Sequence, residues 1–342
     1  MTVNPADANE VAAALRQYVA DKLHVSGIVY LEAPTPLGRG MDTRSYSFHL
    51  NADGLGPQWS APLVLRLYPS EDRAGKAQKE ADVQTFAVSQ GYPAVEPLLL
   101  DRHAAGFDLP IMVMPRVDGK PMLDLAMSSP LKVGRWLQQM AELQVALHAL
   151  PTANCPLERG ASLVERKLLE LRGVHTGDTD QARALEWLEQ HKATVAMEEI
   201  VLCHGDFHPL KILIDESGKA NVLDWSDAVL GDRHFDVARS VLMFWIAPII
   251  AESTLERVAL RAARGYLQWQ YLRSYRRLYP IDEQRLGYWK ALHALGAWQL
   301  VTRVQDPQGE LAGVAREDAA ARLPANLATQ LQRLFWKLAA AI

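Results

Sequence analysis

Apolar residues recur at helical spacing over residues 7–23, where Val11, Ala14, Leu15, Tyr18, Val19 and Leu23 share one face behind Asn and Asp residues able to cap the start. The pattern predicts an amphipathic opening helix. Short β-rich runs follow at 27–31, 44–50 and 63–68, joined by a glycine-bearing stretch at 37–41 and by the turn Asn51-Ala52-Asp53-Gly54, which predicts an antiparallel meander. A helical pattern over 72–90, closed by Gly91, leads to two more strand-like runs, 95–101 and 109–114, around a turn at 103–106. After Pro115-Arg116-Val117-Asp118-Gly119 the period changes, with helices predicted over 133–150, 163–171 and 180–191. Strand signals return only at 200–203, 212–214 and 221–223, the last two separated by a turn at 215–218, and helices fill the rest of the chain. The expected class is α+β: a β-rich lobe over 1–116, then a mainly helical lobe over 117–342 holding a small β insertion.

Composition changes this picture little. The 342 residues are 49% hydrophobic and 22% charged, which excludes disorder as the main state and suits two domains or two lobes at about 150 residues each. Cys155 and Cys203 are too few for a disulfide framework or a zinc cluster, so a reducing compartment is expected. The opening segment lacks a basic leader with an apolar core, and no apolar run reaches the roughly 20 residues needed to span a bilayer. A cytoplasmic protein with no membrane partner is the expectation. Neither internal repeats nor low-complexity tracts are found, and nothing in the pattern assigns an oligomeric state.

Charge is uneven. Residues 257–342 hold thirteen Lys and Arg against six Asp and Glu, a balance of +7, which leaves −11 of the overall −4 on residues 1–256. The stretch 257–279 has six Arg interleaved with Tyr266, Trp269, Tyr271, Tyr275 and Tyr279. Such a pattern can mark nucleic-acid binding, but Arg257, Arg261 and Arg264 share one helix face, and a solvated amphipathic helix explains them without a nucleic-acid partner.

Acidic residues gather around the β insertion: His204-Gly205-Asp206-Phe207-His208-Pro209-Leu210-Lys211, then Leu223-Asp224-Trp225-Ser226-Asp227, then Gly231-Asp232 and Asp236. Loops collect acids in any protein. Placement says more than residue type, because Asp206 and Asp224 each follow an apolar strand-like run. An intervening hairpin is expected to return both carboxylates to one end of a small sheet. One acid accepting a hydroxyl proton and another holding a metal on a polyphosphate would use such a pair.

These linked elements resemble the aminoglycoside phosphotransferase and choline kinase-like family, small-molecule kinases with the bilobal protein-kinase-like fold. The family pattern is His-Gly-Asp, four residues, Asn, an apolar strand, Ile/Leu-Asp-Trp, then Gly-Asp and a final Asp. His204-Gly205-Asp206, Leu223-Asp224-Trp225, Gly231-Asp232 and Asp236 match it in order. The resemblance implies a catalytic loop at 204–211 and a metal-site loop at 224–236. Asp206 is then the catalytic base or substrate-orienting acid, Asp224 the Mg2+ ligand, and His204 and Asp236 supporting residues. It also implies ATP or GTP as phosphoryl donor, with nucleotide contacts from Gly38, Gly40 and Thr43 in the glycine-bearing loop, from Arg66 paired to Glu80, and from Met114, Pro115 and Val117 in a hinge. His148 closes a core helix.

Two positions depart from the pattern. Arg66 stands where the family more often has Lys, and Lys211 where it has Asn. An ammonium has no lone pair with which to ligate a metal. Lys211 therefore either supplies catalytic charge to phosphate oxygens or marks a site that has lost efficient transfer. The expected function is ATP-dependent phosphorylation of a hydroxyl on a small molecule, with a nucleotide-binding pseudokinase as the alternative. The +7 balance points to a neutral or anionic acceptor instead of a polycationic aminoglycoside. Other readings are weaker: a His204, Asp206, His208 metal cluster is disfavoured by Pro209, and nothing marks the Cys203 thiol as an activated nucleophile.

Overall fold

The computed structural model describes residues 3–39, 43–69, 74–175, 177–196, 199–250, 253–306 and 323–342. They divide into two compact units, the first taking in the chain up to Gly119 together with Leu213–Ser226, the second Lys120–Ile212 and most of the chain from Asp227 onward.

In the first unit, β1 (Val29–Arg39), β2 (Arg44–Asn51), β3 (Leu63–Leu67), β4 (Leu99–Asp101) and β5 (Ile111–Pro115) form an antiparallel sheet of order β1-β2-β3-β5-β4. Strand alternation sorts the sheet into two faces. Leu63, Leu65 and Leu67 pack with Phe48, Leu50 and the buried face of α1 (Ala8–Leu23). Val64 and Tyr68 belong to the other cluster, with Met112, Met114 and Ala77 and Ala81 of α2 (Ala74–Ser89). Arg66 shares the parity of Val64 and Tyr68, and so meets Glu80 of α2.

The pattern predicts a strand at 27–31 and a loop at 37–41, whereas β1 runs on to Arg39. Pro34 and Pro36 obscure it, yet β1 is an edge strand with register shifts, where missing backbone donors are tolerated. Gly38 thus lies near the end of β1. Gly40 lies outside the described residues.

The second unit opens with β6 (Lys120–Pro121), α3 (Met122–Ser128), α4 (Val133–His148), α5 (Leu163–Arg172) and α6 (Thr179–His191). β7 (Ile200–Cys203) ends at the His-Gly-Asp segment. Next, β8 (Ile212–Ile214) and β9 (Ala220–Val222) form a hairpin whose turn is held by the Asp215 carboxylate accepting from the Ser217 and Lys219 N–H groups. The second unit resumes with β10 (Val229–Asp232) and the helices α7 (Arg233–Ile250), α8 (Thr254–Leu278), α9 (Glu283–Gln305) and α10 (Leu327–Ala339). α9 packs on α7 and α10, and α8 on α4 and α7.

Two expectations need correction here. β7 pairs with β10, not with the hairpin, so Asp206 and Asp224 end strands of different sheets. Gly231-Asp232, read as loop, is part of β10. The domain bounds also differ. Residues 213–226, and Asp224 with them, fold into the first unit instead of the helical lobe: Val222 N–H donates to Pro93 O at 2.7 Å, and Trp225, fully buried, meets Tyr92 edge-on at 5.6 Å between ring centroids. Sequence order hides this return of the chain.

Candidate active site

The second unit holds the loop expected from sequence to be catalytic. β7 carries the chain to His204 and Gly205, where the backbone turns left-handed at Gly205, φ 81°. A Cβ there would stand 2.2 Å from Asp227 O, so only glycine fits. Asp236, fully buried in the first turn of α7, accepts the Gly205 N–H at 2.7 Å and the His204 N–H at 3.2 Å. His148 Nε2 and Gln144 Nε2 of α4 also reach it, at 3.1 and 3.0 Å. Burial raises its carboxyl, and His148, His204 and Gln144 outweigh that, so it titrates below the usual range. Asp236 therefore stays ionised and pins the loop backbone, and His148 anchors Asp236 while its Nδ1 meets Tyr275 Oη at 2.7 Å.

Asp206 comes next in the chain. Its Oδ1 accepts from Arg239 Nε at 3.0 Å and lies 2.9 Å from Arg239 Nη2 as an ion pair, while Oδ2 faces His208 Nε2 at 3.3 Å and Lys211 Nζ at 3.9 Å. Burial alone pushes this carboxyl up. The His208 hydrogen bond and the Arg239 and Lys211 charges more than reverse that, holding it well below the usual carboxylate range. The His208 ring is pushed down by burial against the pull of Asp206 and so favours its neutral form. At neutral pH Asp206 is an anion fitted to accept and orient a hydroxyl proton, and a weak Brønsted base.

The first unit carries the residues expected from sequence on the phosphate side. Arg66 Nη1 donates to Glu80 Oε1 at 2.6 Å, and Nη2 donates to Thr43 Oγ1 at 3.2 Å and to Asp224 Oδ1 at 3.1 Å. Glu80 also accepts from Tyr68 Oη at 2.8 Å and Gln84 Nε2 at 3.1 Å. Burial raises the Glu80 carboxyl and Arg66 opposes it, while burial lowers Arg66 and Glu80 and Asp224 raise it above its ordinary value. The Arg66 Nε–H is buried without an acceptor among the described residues. Asp224 sits at φ 67°, a left-handed conformation that Asp tolerates and most residues avoid.

Glu80→Ala leaves the buried Arg66 cation short of its main partner and should destabilise the fold by about 3–5 kcal/mol. Urea unfolding measures this; a loss below about 1 kcal/mol would show that Asp224 alone compensates Arg66.

Of the residues expected to form a hinge, Met114 is buried in β5 and Pro115 pairs with Leu63, and beside them Arg116 N–H donates to Pro62 O at 3.0 Å. Val117 packs against the cluster containing Met112 and Met114. Of the residues named from sequence, Arg66, Glu80, Thr43 and Asp224 thus come together in one unit, and His204, Asp206, Lys211 and Asp236 in the other. Sequence reasoning missed Arg239 and Ser240, and left His208 without a role. Their spacing from Asp236, three and four residues on, was the available signal.

For a divalent cation, the described residues hold no cluster of three or more His, Cys, Asp or Glu shaped as a metal site. Asp224 offers a hard carboxylate, and magnesium commonly takes one or two carboxylates, with phosphate oxygens and water completing the shell. Asp224 fits that role; Lys211, a cation, does not.

Residues 34–281 match the Phosphotransferase enzyme family, and the chain belongs to it. It is 31% identical over 137 residues to an aminoglycoside 3'-phosphotransferase of Streptomyces fradiae, covering 35% of this chain and 51% of that relative, so it spans about half the length of that curated protein. A solved thermostable mutant of the aminoglycoside phosphotransferase APH(4)-Ia, in ternary complex with AMP-PNP and hygromycin B, superposes with a TM-score of 0.64 at 17% identity, over 96% of this chain and 98% of that one. The choline kinase LicA of Streptococcus pneumoniae gives a TM-score of 0.60 at 13% identity, over 97% and 99%. The fold is the kinase-like fold of these proteins, a β-sheet N-terminal region followed by a helical C-terminal part.

Proposed function

We propose that the protein transfers the γ-phosphoryl group of ATP, or of GTP, to a hydroxyl of a small molecule. The observation that carries the reading is Asp206, placed after β7 as a permanent anion on a loop whose backbone N–H groups are pinned by Asp236. Asp206 would accept a hydrogen bond from the acceptor hydroxyl and orient its oxygen, taking the proton as transfer completes. Arg66, held by Glu80, would steady phosphate oxygens together with Thr43, and the hinge backbone at Met114, Pro115 and Val117 would receive the base. Asp224 would hold Mg2+, which when bound neutralises phosphate charge. Support for a nucleoside triphosphate donor comes from the AMP-PNP complex of the structural neighbour.

The acceptor is proposed to be neutral or anionic. Arg239 and Lys211 both bring positive charge to Asp206, a setting that disfavours a polycation. A cytoplasmic location, with neither membrane nor nucleic acid as partner, belongs to the same proposal; no described helix is long and apolar enough to cross a membrane. The named relatives and neighbours are phosphotransferases and kinases, and lend the pseudokinase alternative no support.

ATP consumption with magnesium, measured against hydroxylated metabolites sorted by charge, tests the reading. Turnover confined to neutral or anionic acceptors is expected, and turnover confined to aminoglycosides would overturn the acceptor assignment. The role of Lys211 is tested separately. Lys211→Ala should lower kcat by about 10- to 10³-fold, as expected for a group stabilising transferred charge, and Lys211→Asn should not restore it. Activity of Lys211→Asn above wild type would instead mark Lys211 as a decayed metal ligand.

A further inference from the structure

Asp236, Arg239 and Ser240 occupy positions i, i+3 and i+4 of α7, and so share one face of the helix. Each grips a different part of the catalytic loop. Asp236 takes the N–H groups of His204 and Gly205, Arg239 takes the Asp206 side chain, and Ser240 Oγ donates to Phe207 O at 2.7 Å. The loop from His204 to Phe207 is thus held residue by residue from a single helix face, with Arg239 reaching Oδ1 of the Asp206 carboxylate from that helix.

We propose that Arg239 is a positioning residue for the transfer: by donating its Nε–H to Oδ1 of Asp206 and setting Nη2 beside the same oxygen, it fixes the carboxylate so that Oδ2 is the oxygen presented to the acceptor hydroxyl. This rests on the reading that Asp206 orients the acceptor. The distances divide the two oxygens. Oδ1 has both Arg239 contacts, at 3.0 and 2.9 Å, whereas on Oδ2 the described residues place the longer approaches of His208 at 3.3 Å and Lys211 at 3.9 Å. An Asp side chain turns broadly about its last torsion. Without Arg239 the nearest remaining full cation is Lys211, on the Oδ2 side, and the carboxylate would turn to close on it and withdraw Oδ2 from the acceptor. The planar geometry matters: Arg239 sets Nε and Nη2 of one rigid plane against the same oxygen, which a lysine ammonium cannot reproduce. Other charged or titratable groups near the loop among the described residues include Asp236 of α7 with its partner His148, His204 and His208, His293 of α9, which senses the Arg239 charge, and Asp227, whose backbone lies against Gly205.

The test compares Arg239→Ala, Arg239→Gln and Arg239→Lys in the full chain. A misplaced reacting group costs about 10²-fold, so Arg239→Ala and Arg239→Gln should each lower kcat by that order with KM for nucleotide unchanged. Arg239→Lys should recover part of the loss, and guanidinium ion at millimolar concentration should partly rescue Arg239→Ala. Unchanged kcat in Arg239→Ala, or a raised acceptor KM with wild-type kcat, would overturn the proposal, the second making Arg239 an acceptor-binding residue. A readout independent of turnover separates this from the function itself. With 13C-labelled aspartate, the Asp206 carboxyl carbon should shift and titrate at higher pH in Arg239→Gln than in wild type. If it does so while the wild type phosphorylates nothing, the functional reading fails and the Arg239 contact stands. If the signal is identical in both proteins, the positioning role fails whatever the enzyme does.

Discussion

Asp206→Asn is expected to lower turnover by about 10²–10⁴-fold, the range for removal of a positioned acid–base group, while nucleotide affinity stays within a few-fold of wild type. The amide keeps the shape of the carboxylate and loses the negative charge that draws Arg239, Lys211 and the acceptor proton. Because the carboxyl is held well below the usual range, wild-type turnover should show no loss near neutral pH from protonation of Asp206. In stability the sign follows from the same depression. Asp206 contributes stability that is fully present above the unfolded carboxyl value of about 4 and is lost as pH falls towards its lower folded value. Calorimetric titration of nucleotide beside steady-state kcat checks the first outcome; equal turnover in variant and wild type would remove Asp206 from the reaction.

Asp224→Asn should act on a different quantity. Asn tolerates the left-handed backbone at φ 67°, so the strand end after β9 and the buried Trp225 should keep their places. The anionic oxygen is lost, and with it the ion pair to Arg66 at 3.1 Å and the hard ligand for magnesium. Magnesium should then strengthen nucleotide binding at least about 10-fold less than in wild type, and turnover should fall by about 10²-fold or more. Nucleotide titrations with magnesium and with chelator distinguish the outcomes. Wild-type magnesium dependence in the variant would move the metal ligand elsewhere.

Much of this arrangement was legible in sequence because it is local. Apolar alternation in 63–67 and 111–115 marks strands buried on both faces of a sheet, and the same parity that places Leu65 in one core turns Arg66 towards α2. His204-Gly205-Asp206 could be read because its order with Leu223-Asp224-Trp225 and Asp236 resembles a family pattern, although the contacts that hold it come from Asp227 and Asp236, more than twenty residues on. β1 was harder, since Pro34 and Pro36 mimic loop chemistry unless its edge position is known. The return of residues 213–226 to the first unit depends on contacts with Pro93, Ala94 and Tyr92, more than a hundred residues earlier, and no local pattern encodes it. Arg239 was missed for a related reason. An Arg on a helix is by default a solvated surface residue, and only the helix face it shares with Asp236 and Ser240 sets it apart.

The central claim is phosphoryl transfer to a small-molecule hydroxyl, and the most direct measurement is 31P NMR of the wild type with ATP, magnesium and a mixture of hydroxylated neutral and anionic metabolites. The expected result is a new phosphomonoester signal that grows in step with ADP and is absent from the Asp206→Asn protein. A wild type that binds ATP with magnesium yet forms no phosphorylated product, with these acceptors or with aminoglycosides, would contradict the claim and restore the pseudokinase reading.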